Sequence, residues 1–152
     1  MNLNLPKKIA DRARREGKKH FPSEAYLELI GVISKNNKTI TVIDTWIPED
    51  LAEYSSPFQI EVPPHWRKMS NKYAKSIGGV IVGTIHSHGY SSKEVEDSPA
   101  YRLDPSPSSA DIDSCGDEIM GILVVCQSCK GEFSTRLRLY GPSVRLSVSY
   151  TK

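Results

Sequence analysis

Apolar residues recur along this chain with two periods, one typical of helices and one typical of strands. Between Pro6 and Lys19, the residues Ile9, Ala10 and Ala13 follow helical spacing, which predicts a short helix. A second helix is predicted from His65 to Ser76, because a pair of prolines precedes it and a pair of glycines follows it.

Runs rich in Ile, Val and Leu predict the strands. Tyr26 to Ser34 and Thr39 to Ile47 are joined by turn-prone residues, which indicates a hairpin. Val80 to Ile85 is continuously apolar, as in a central strand covered on both faces. The remaining predicted strands are Phe58 to Val62, Gly121 to Val125, Phe133 to Leu139 and Val144 to Tyr150. We expect the last two to pair as an antiparallel hairpin that closes the chain.

These elements predict a fold of the α/β (α+β) class. Its centre is a mixed, largely antiparallel β-sheet, with about three helices packed on it. The third helix is expected to begin at Ser108, after a long polar loop from Gly89 to Pro107. A chain of 152 residues can bury one substantial core, so residues 1–152 are expected to form a single domain.

Composition narrows the class of protein. Apolar residues make up 38% of the chain and charged residues 25%, which is typical of a globular protein. The formal charge of +2 is too small to indicate nucleic acid as the main partner. The apolar runs are too short to span a membrane, and the N-terminus has no signal-peptide core. Three cysteines without framework spacing argue against a secreted disulfide fold, so we expect a cytoplasmic protein.

The first candidate for chemistry is a pair of histidines at the end of the central strand. His86 and His88 are two residues apart, and side chains alternate across a strand, so both imidazoles point to the same side. A catalytic zinc ion takes three protein ligands and leaves a fourth position for water. Asp111 is the candidate third ligand, in the first turn of the helix that Ser108 opens. Taken alone, without the preceding histidine pair, Ser108 and Asp111 are better explained as a helix cap and a first-turn acid.

Together, these residues carry a family resemblance. The order His86-Ser87-His88, a loop and then Ser108-x-x-Asp111 resembles the H-x-H-x(n)-S-x-x-D signature of the JAMM (MPN-plus, JAB/Mov34-type) zinc metallopeptidases. That family also has a glutamate at the start of its first strand, a place that Glu24 occupies here. The order of helices and strands resembles the family's domain over nearly the whole chain.

The resemblance implies a fold, a site and an activity. The fold is the family's cytidine-deaminase-like MPN domain, in a compact stand-alone version like those of prokaryotes. One zinc ion would be held by His86, His88 and Asp111, with water in the fourth position. Glu24 would act as base and then as acid, and Ser108 would donate to the oxyanion. The implied reaction is hydrolysis of a peptide or isopeptide bond at the C-terminal tail of a ubiquitin-like protein.

Two features depart from the family pattern. Gly89 follows the second histidine, where the family often has proline, and the interval from His88 to Ser108 is longer than usual. Both departures concern the loop beside the site, and therefore the choice of substrate rather than the metal ligands.

Several alternatives remain open on the sequence. The same reaction could serve a small amide or an unrelated peptide, or the chain could be a non-catalytic MPN interaction module. The chain could also be a relative of the DNA-repair-associated RadC group, which has a similar His-x-His and Ser-x-x-Asp pattern. Cys126 and Cys129 suggest a zinc deaminase, but this chain lacks the glutamate that a deaminase would have after His86. The residues expected to have ordinary structural roles are His20, His65, Trp46, Trp66 and Cys115.

Overall fold

The structure of this chain is a computed structural model, which describes residues 1–91, 93, 105, 107, 111, 117–141 and 146–152. In that part of the chain the helices are α1 (Lys7–His20), α2 (Leu51–Tyr54) and α3 (Pro64–Ser76). The strands there are β1 (Asn2–Pro6), β2 (Tyr26–Ile33), β3 (Thr39–Trp46), β4 (Val80–Tyr90), β5 (Ile119–Gln127), β6 (Phe133–Tyr140) and β7 (Ser147–Thr151).

The strands form one mixed sheet in the order β6-β5-β4-β2-β3-β1-β7. Antiparallel pairing joins β2 to β3, β2 to β4, and β5 to β6. Parallel pairing joins β1 to β3, β1 to β7, and β4 to β5. The predicted mixed sheet with packed helices is therefore confirmed, as is the hairpin of β2 and β3.

The two faces of the sheet have separate apolar clusters. On one face, the buried side of α1, formed by Ile9, Ala10 and Ala13, packs with strand residues such as Leu27. On the other face, Tyr26 packs with the fully buried Trp66 of α3. Tyr26 and Leu27 are neighbours in β2 and so point to opposite faces. The helices thus sandwich the central strands.

The predicted strand Phe58 to Val62 is wrong. Apart from an isolated bridge between Ser55 and Ile60, this segment has no strand pairing. The Ser56 hydroxyl accepts hydrogen bonds from the backbone N–H groups of Phe58 and Gln59, both at 3.2 Å, and so holds a turn. The Phe58 side chain is 91% exposed. Its alternating sequence therefore does not correspond to a buried face.

The predicted closing hairpin is also wrong. β6 pairs with β5 at one edge of the sheet, whereas β7 pairs with β1 at the opposite edge. A period of two identifies a strand but does not identify its partner. The partner of β7 is the N-terminal strand β1, which the apolar pattern did not predict.

The strand that carries the histidines is longer than predicted, since β4 continues through Gly89 to Tyr90. Gly89 and Tyr90 therefore belong to the sheet, while most of the predicted loop to Pro107 lies outside the described residues. Ser108 and Cys115 lie outside them as well, and Asp111 is in helical conformation. None of the described helices is both long enough and apolar enough to cross a membrane.

Candidate metal centre

His86 and His88 lie within a paired strand, and the sheet fixes their direction. His86 pairs with Tyr26 of β2 on one side and with Ile122 of β5 on the other, and His88 pairs with Val124 of β5. The two rings lie on the same face, with centroids 5.1 Å apart. Two of the three predicted ligands are therefore positioned by a strand that lies inside the sheet.

The third predicted ligand meets them there. Asp111 Oδ1 lies 3.0 Å from His86 Nε2, and Asp111 Oδ2 lies 3.6 Å from His88 Nε2. One ligand atom from each of the three residues lies within 4.8 Å of the other two. Their side chains are only 14–18% exposed. This set of two imidazoles and one carboxylate could hold a metal ion.

The state of the imidazoles fits that role. His86 Nε2 is buried and makes no hydrogen bond with a described residue, although Asp111 Oδ1 is close. Buried polar atoms are rarely left in that state, and a metal ion shared with Asp111 would provide the missing partner. Burial and the neighbouring His86 lower the pKa of His88, against the opposing charge of Asp111. A lowered pKa favours the neutral imidazole, which is the form that binds metals.

Glu24 lies beside these ligands. Its Oε1 atom is 3.9 Å from His88 Nε2, and the residue is 7% exposed. Burial raises the pKa of Glu24 to about 7; the nearby His86 opposes this rise, and the Asp111 charge adds to it. A carboxyl group with that pKa can accept or donate a proton near neutral pH.

Three serines fix the backbone around Glu24. The Ser55 hydroxyl donates to the Glu24 carbonyl, and the Glu24 N–H donates to the Ser56 carbonyl at 3.0 Å. Ser87, between the two histidines, accepts the Ala25 N–H on its hydroxyl at 2.7 Å and donates its own N–H to the Ala25 carbonyl at 3.0 Å. Ser87 thus joins the strand of the histidines to the chain that carries Glu24. The motif gives Ser87 no role beyond separating the two histidines.

The metal-ligand set opens into a cleft of about 1320 Å³. Its wall includes the exposed Phe58 and two charged residues, Arg67 of α3 and Glu118, which precedes β5. Arg67 and Glu118 were not predicted as site residues, because no motif contains them. Their common neighbour is Glu28, which is fully buried and accepts a hydrogen bond from Arg67 Nε at 2.6 Å.

Where the structure describes them, the residues predicted to have ordinary structural roles make packing or hydrogen-bonding contacts. His20 Nε2 lies 3.3 Å from Glu16 Oε2, and His65 Nε2 lies 2.8 Å from Asp50 Oδ2. Trp66 is fully buried, and its indole N–H donates to Asp50 at 2.7 Å. Cys126 is buried in β5, and Cys129 is exposed.

Comparison with known proteins gives a likeness of fold. No family model matches the chain, and no curated protein matches it. Among solved structures, it is similar to the solution structure of protein DSY2949 from Desulfitobacterium hafniense, with a TM-score of 0.58. That likeness covers 98% of this chain and 94% of the other, at 18% sequence identity. At this identity the comparison concerns the fold alone.

Proposed function

We propose that this chain is a zinc-dependent peptidase of the JAMM (MPN-plus) type. The observation that carries the proposal is that Asp111, which is distant in sequence from His86 and His88, has a ligand atom within 4.8 Å of one from each histidine. Two imidazoles and a carboxylate form a ligand set that suits a catalytic zinc ion. The proposal extends to the family's MPN fold and to the motif residues that lie outside the described part of the chain.

The position of Glu24 supports an enzyme rather than a structural metal site. Its carboxylate lies beside the ligand set, 3.9 Å from His88 Nε2, but is separate from the three ligands. A zinc ion bound there would supply Lewis acidity, lowering the pKa of water towards about 7 so that hydroxide is available near neutral pH. Glu24 is close enough to take the proton from the attacking water and deliver it to the departing amine.

The remaining group is Ser108, whose role rests on the motif alone. By resemblance, its hydroxyl donates a hydrogen bond to the oxyanion of the tetrahedral intermediate. A donor in that role stabilises the transition state by roughly 3 to 4 kcal/mol in other hydrolases. Ser108→Ala is accordingly expected to slow turnover without removing the metal.

The proposed substrate is the C-terminal tail of a ubiquitin-like protein joined to an amine by a peptide or isopeptide bond. The cleft of about 1320 Å³ runs past the ligand set and has apolar wall residues such as Phe58 and Val62, which suits an extended peptide. We propose a cytoplasmic location for this reaction.

The test is to measure the metal and the reaction separately. Purified protein is expected to bind one zinc ion per chain, and elemental analysis measures this. It is then incubated with ubiquitin-like conjugates and, in parallel, with small acyl-amides, and the products are identified by mass spectrometry. Cleavage of the conjugates that a chelator stops and zinc restores supports the proposal.

The alternative outcomes identify the alternative functions. Cleavage of the small amides alone would indicate the same chemistry on another substrate. Zinc binding without cleavage of either substrate would support the metal site and contradict the proposed peptidase activity. A chain that neither binds zinc nor cleaves either substrate would be better explained as an interaction module of the same fold.

A further inference from the structure

Two contacts hold the chain on either side of Asp111. Six residues before it, the Pro105 carbonyl accepts a hydrogen bond from the Tyr140 hydroxyl at 2.6 Å. Seven residues after it, the Glu118 carboxylate accepts hydrogen bonds from both terminal nitrogens of Arg67, with Nη2 at 3.0 Å from Oε2. Tyr140 belongs to β6 and Arg67 to α3, so the two contacts come from different elements. We call them the anchoring contacts.

The contact with Arg67 is well fixed. The guanidinium meets Glu118 with two nitrogens, and its Nε donates to Glu28 Oε1 at 2.6 Å. Glu28 lies in β2 and is fully buried, so the guanidinium is held from behind by the sheet. A planar guanidinium bound at all three nitrogens has a defined orientation as well as a defined position. Glu118 is thereby held against α3 and β2.

The contact with Tyr140 acts on the opposite side of Asp111. Tyr140 pairs with Met120 of β5, so its backbone is part of the sheet. Pro105 is buried, and its carbonyl lies at the end of the Tyr140 ring, which Arg138 covers at 5.2 Å. Pro105 is thus attached to the edge strand of the sheet.

We propose that the anchoring contacts position Asp111 over the two histidines, with Arg67, Glu118 and Tyr140 as positioning residues. An unattached chain of six residues can extend about 20 Å, whereas Asp111 Oδ1 lies 3.0 Å from His86 Nε2. The histidines are fixed within β4, so the third ligand is the one whose place depends on distant contacts. This inference rests on the proposed function insofar as Asp111 is a metal ligand.

The first test uses metal-free protein and reads the position of Asp111 directly. In the wild type, nuclear Overhauser effects are expected between Asp111 and the ring protons of His86. Glu118→Ala and Tyr140→Phe are expected to weaken them and to broaden the Asp111 amide resonance. The matched controls are Asp44→Ala, which removes an ion pair with Arg12, and Tyr73→Phe, which removes a hydroxyl bonded to Asp44 at 2.6 Å. Both controls are expected to retain the wild-type signals.

The second test measures zinc affinity by competition with a chelator. Residues that support metal ligands commonly change metal affinity by about 10- to 100-fold when mutated. We expect a loss of that size in Glu118→Ala and in Tyr140→Phe, and none in the two controls. If Glu118→Ala does not fold, Tyr140→Phe, which removes a single hydroxyl, decides the question.

The two tests separate this inference from the proposed function. Wild-type Asp111 signals in both variants would overturn the positioning role, whatever zinc does. Weakened signals in a protein whose wild type binds no zinc would support the positioning role and contradict the proposed metal site. Weakened signals together with weakened zinc binding would support both.

Discussion

Glu24 combines burial with proximity to the candidate ligands, and this separates it from the other described acids that are not themselves candidate ligands. It is 7% exposed and lies 3.9 Å from His88 Nε2. Buried carboxyl groups without an ion-pair partner of fixed charge are costly to keep, and they are concentrated at functional sites. Glu24 is therefore the residue whose chemistry is most open to a direct test.

Glu24→Gln is expected to keep the zinc and lose the reaction. Glutamine has nearly the same shape but cannot take up a proton, and removal of a general base slows turnover by about 100- to 10,000-fold. Metal analysis and steady-state kinetics on the same sample measure the two effects. Glu61→Gln, at an exposed position, should behave like the wild type. Full activity in Glu24→Gln would refute the assigned role.

At the scale of elements, the approach of β4 to β5 depends on Gly83. A Cβ atom at Gly83 would collide with the backbone carbonyl of Ile119, an atom that cannot move without disturbing the strand pairing. At Gly121, by contrast, a Cβ would meet the side chain of Ile85 at 2.6 Å, which can adjust its rotamer. The two glycines therefore differ in what surrounds them.

Gly83→Ala is expected to lower the free energy of unfolding by about 1 to 3 kcal/mol, the usual range for overpacking. Gly121→Ala is expected to cost less. Urea denaturation of both variants and of the wild type measures the difference. Equal losses in the two variants would show that the carbonyl of Ile119 does not limit the packing.

Asp44 of β3 joins three elements. Burial raises the pKa of its carboxyl, but hydrogen bonds from Tyr73 of α3 and from the Thr45 N–H, with the Arg12 guanidinium of α1, outweigh that effect and lower the pKa. The folded-state pKa thus lies below the ordinary value of 3.8. Stability from this group is present above the unfolded-state pKa and is lost as the pH falls through the folded-state pKa.

Asp44→Asn is accordingly expected to melt below the wild type at neutral pH, and the gap should narrow below about pH 4. Thermal melting followed over a pH series measures this. Asp11→Asn serves as control, because Asp11 forms a partly exposed pair with Arg14 of the same helix and, among the described residues, joins no other element. A gap that stays constant down to pH 2 would contradict the role of the ionised carboxylate.

For the whole molecule, the metal-ligand set connects the sheet to a residue far along the chain. A ligand that binds only the folded state stabilises it by about 2.7 kcal/mol at 100 times its dissociation constant. For a domain of this size that corresponds to about 5 to 10 °C in melting temperature. Zinc is expected to raise the melting temperature of the wild type to that extent, as measured by calorimetry.

The variants make this measurement specific. Asp111→Ala should lose most of the zinc-dependent shift, whereas His65→Ala, which changes a histidine outside the site, should keep it. An equal shift in both variants would place the metal elsewhere.

The sequence predicted the local elements better than their partners. α1, α3 and the strands β2, β3 and β4 follow from apolar period and from prolines and glycines, which act within a few residues. The pairing of β7 with β1 depends on contacts between distant segments, and periodicity contains no information about it. The segment around Phe58 alternates like a strand, but its turn is made by the Ser56 hydroxyl.

The candidate site divides in the same way. The histidines and Asp111 could be predicted because a motif spacing places them, and the structure brings their ligand atoms together. Ser87, Arg67 and Tyr140 could not, because each acts through a hydrogen bond to a residue chosen by the fold. Side chains that support a site leave little pattern in a single sequence.

The location of the histidines inside β4 has a consequence for how this sequence can vary. Insertion of one residue between Val80 and His86 would shift the pairing with β2 and β5 by one position and turn both imidazoles towards the α1 side of the sheet. An insertion after Tyr90 would leave their orientation unchanged. Insertions after Tyr90 therefore keep the two histidines in place as metal ligands, whereas a one-residue insertion between Val80 and His86 does not.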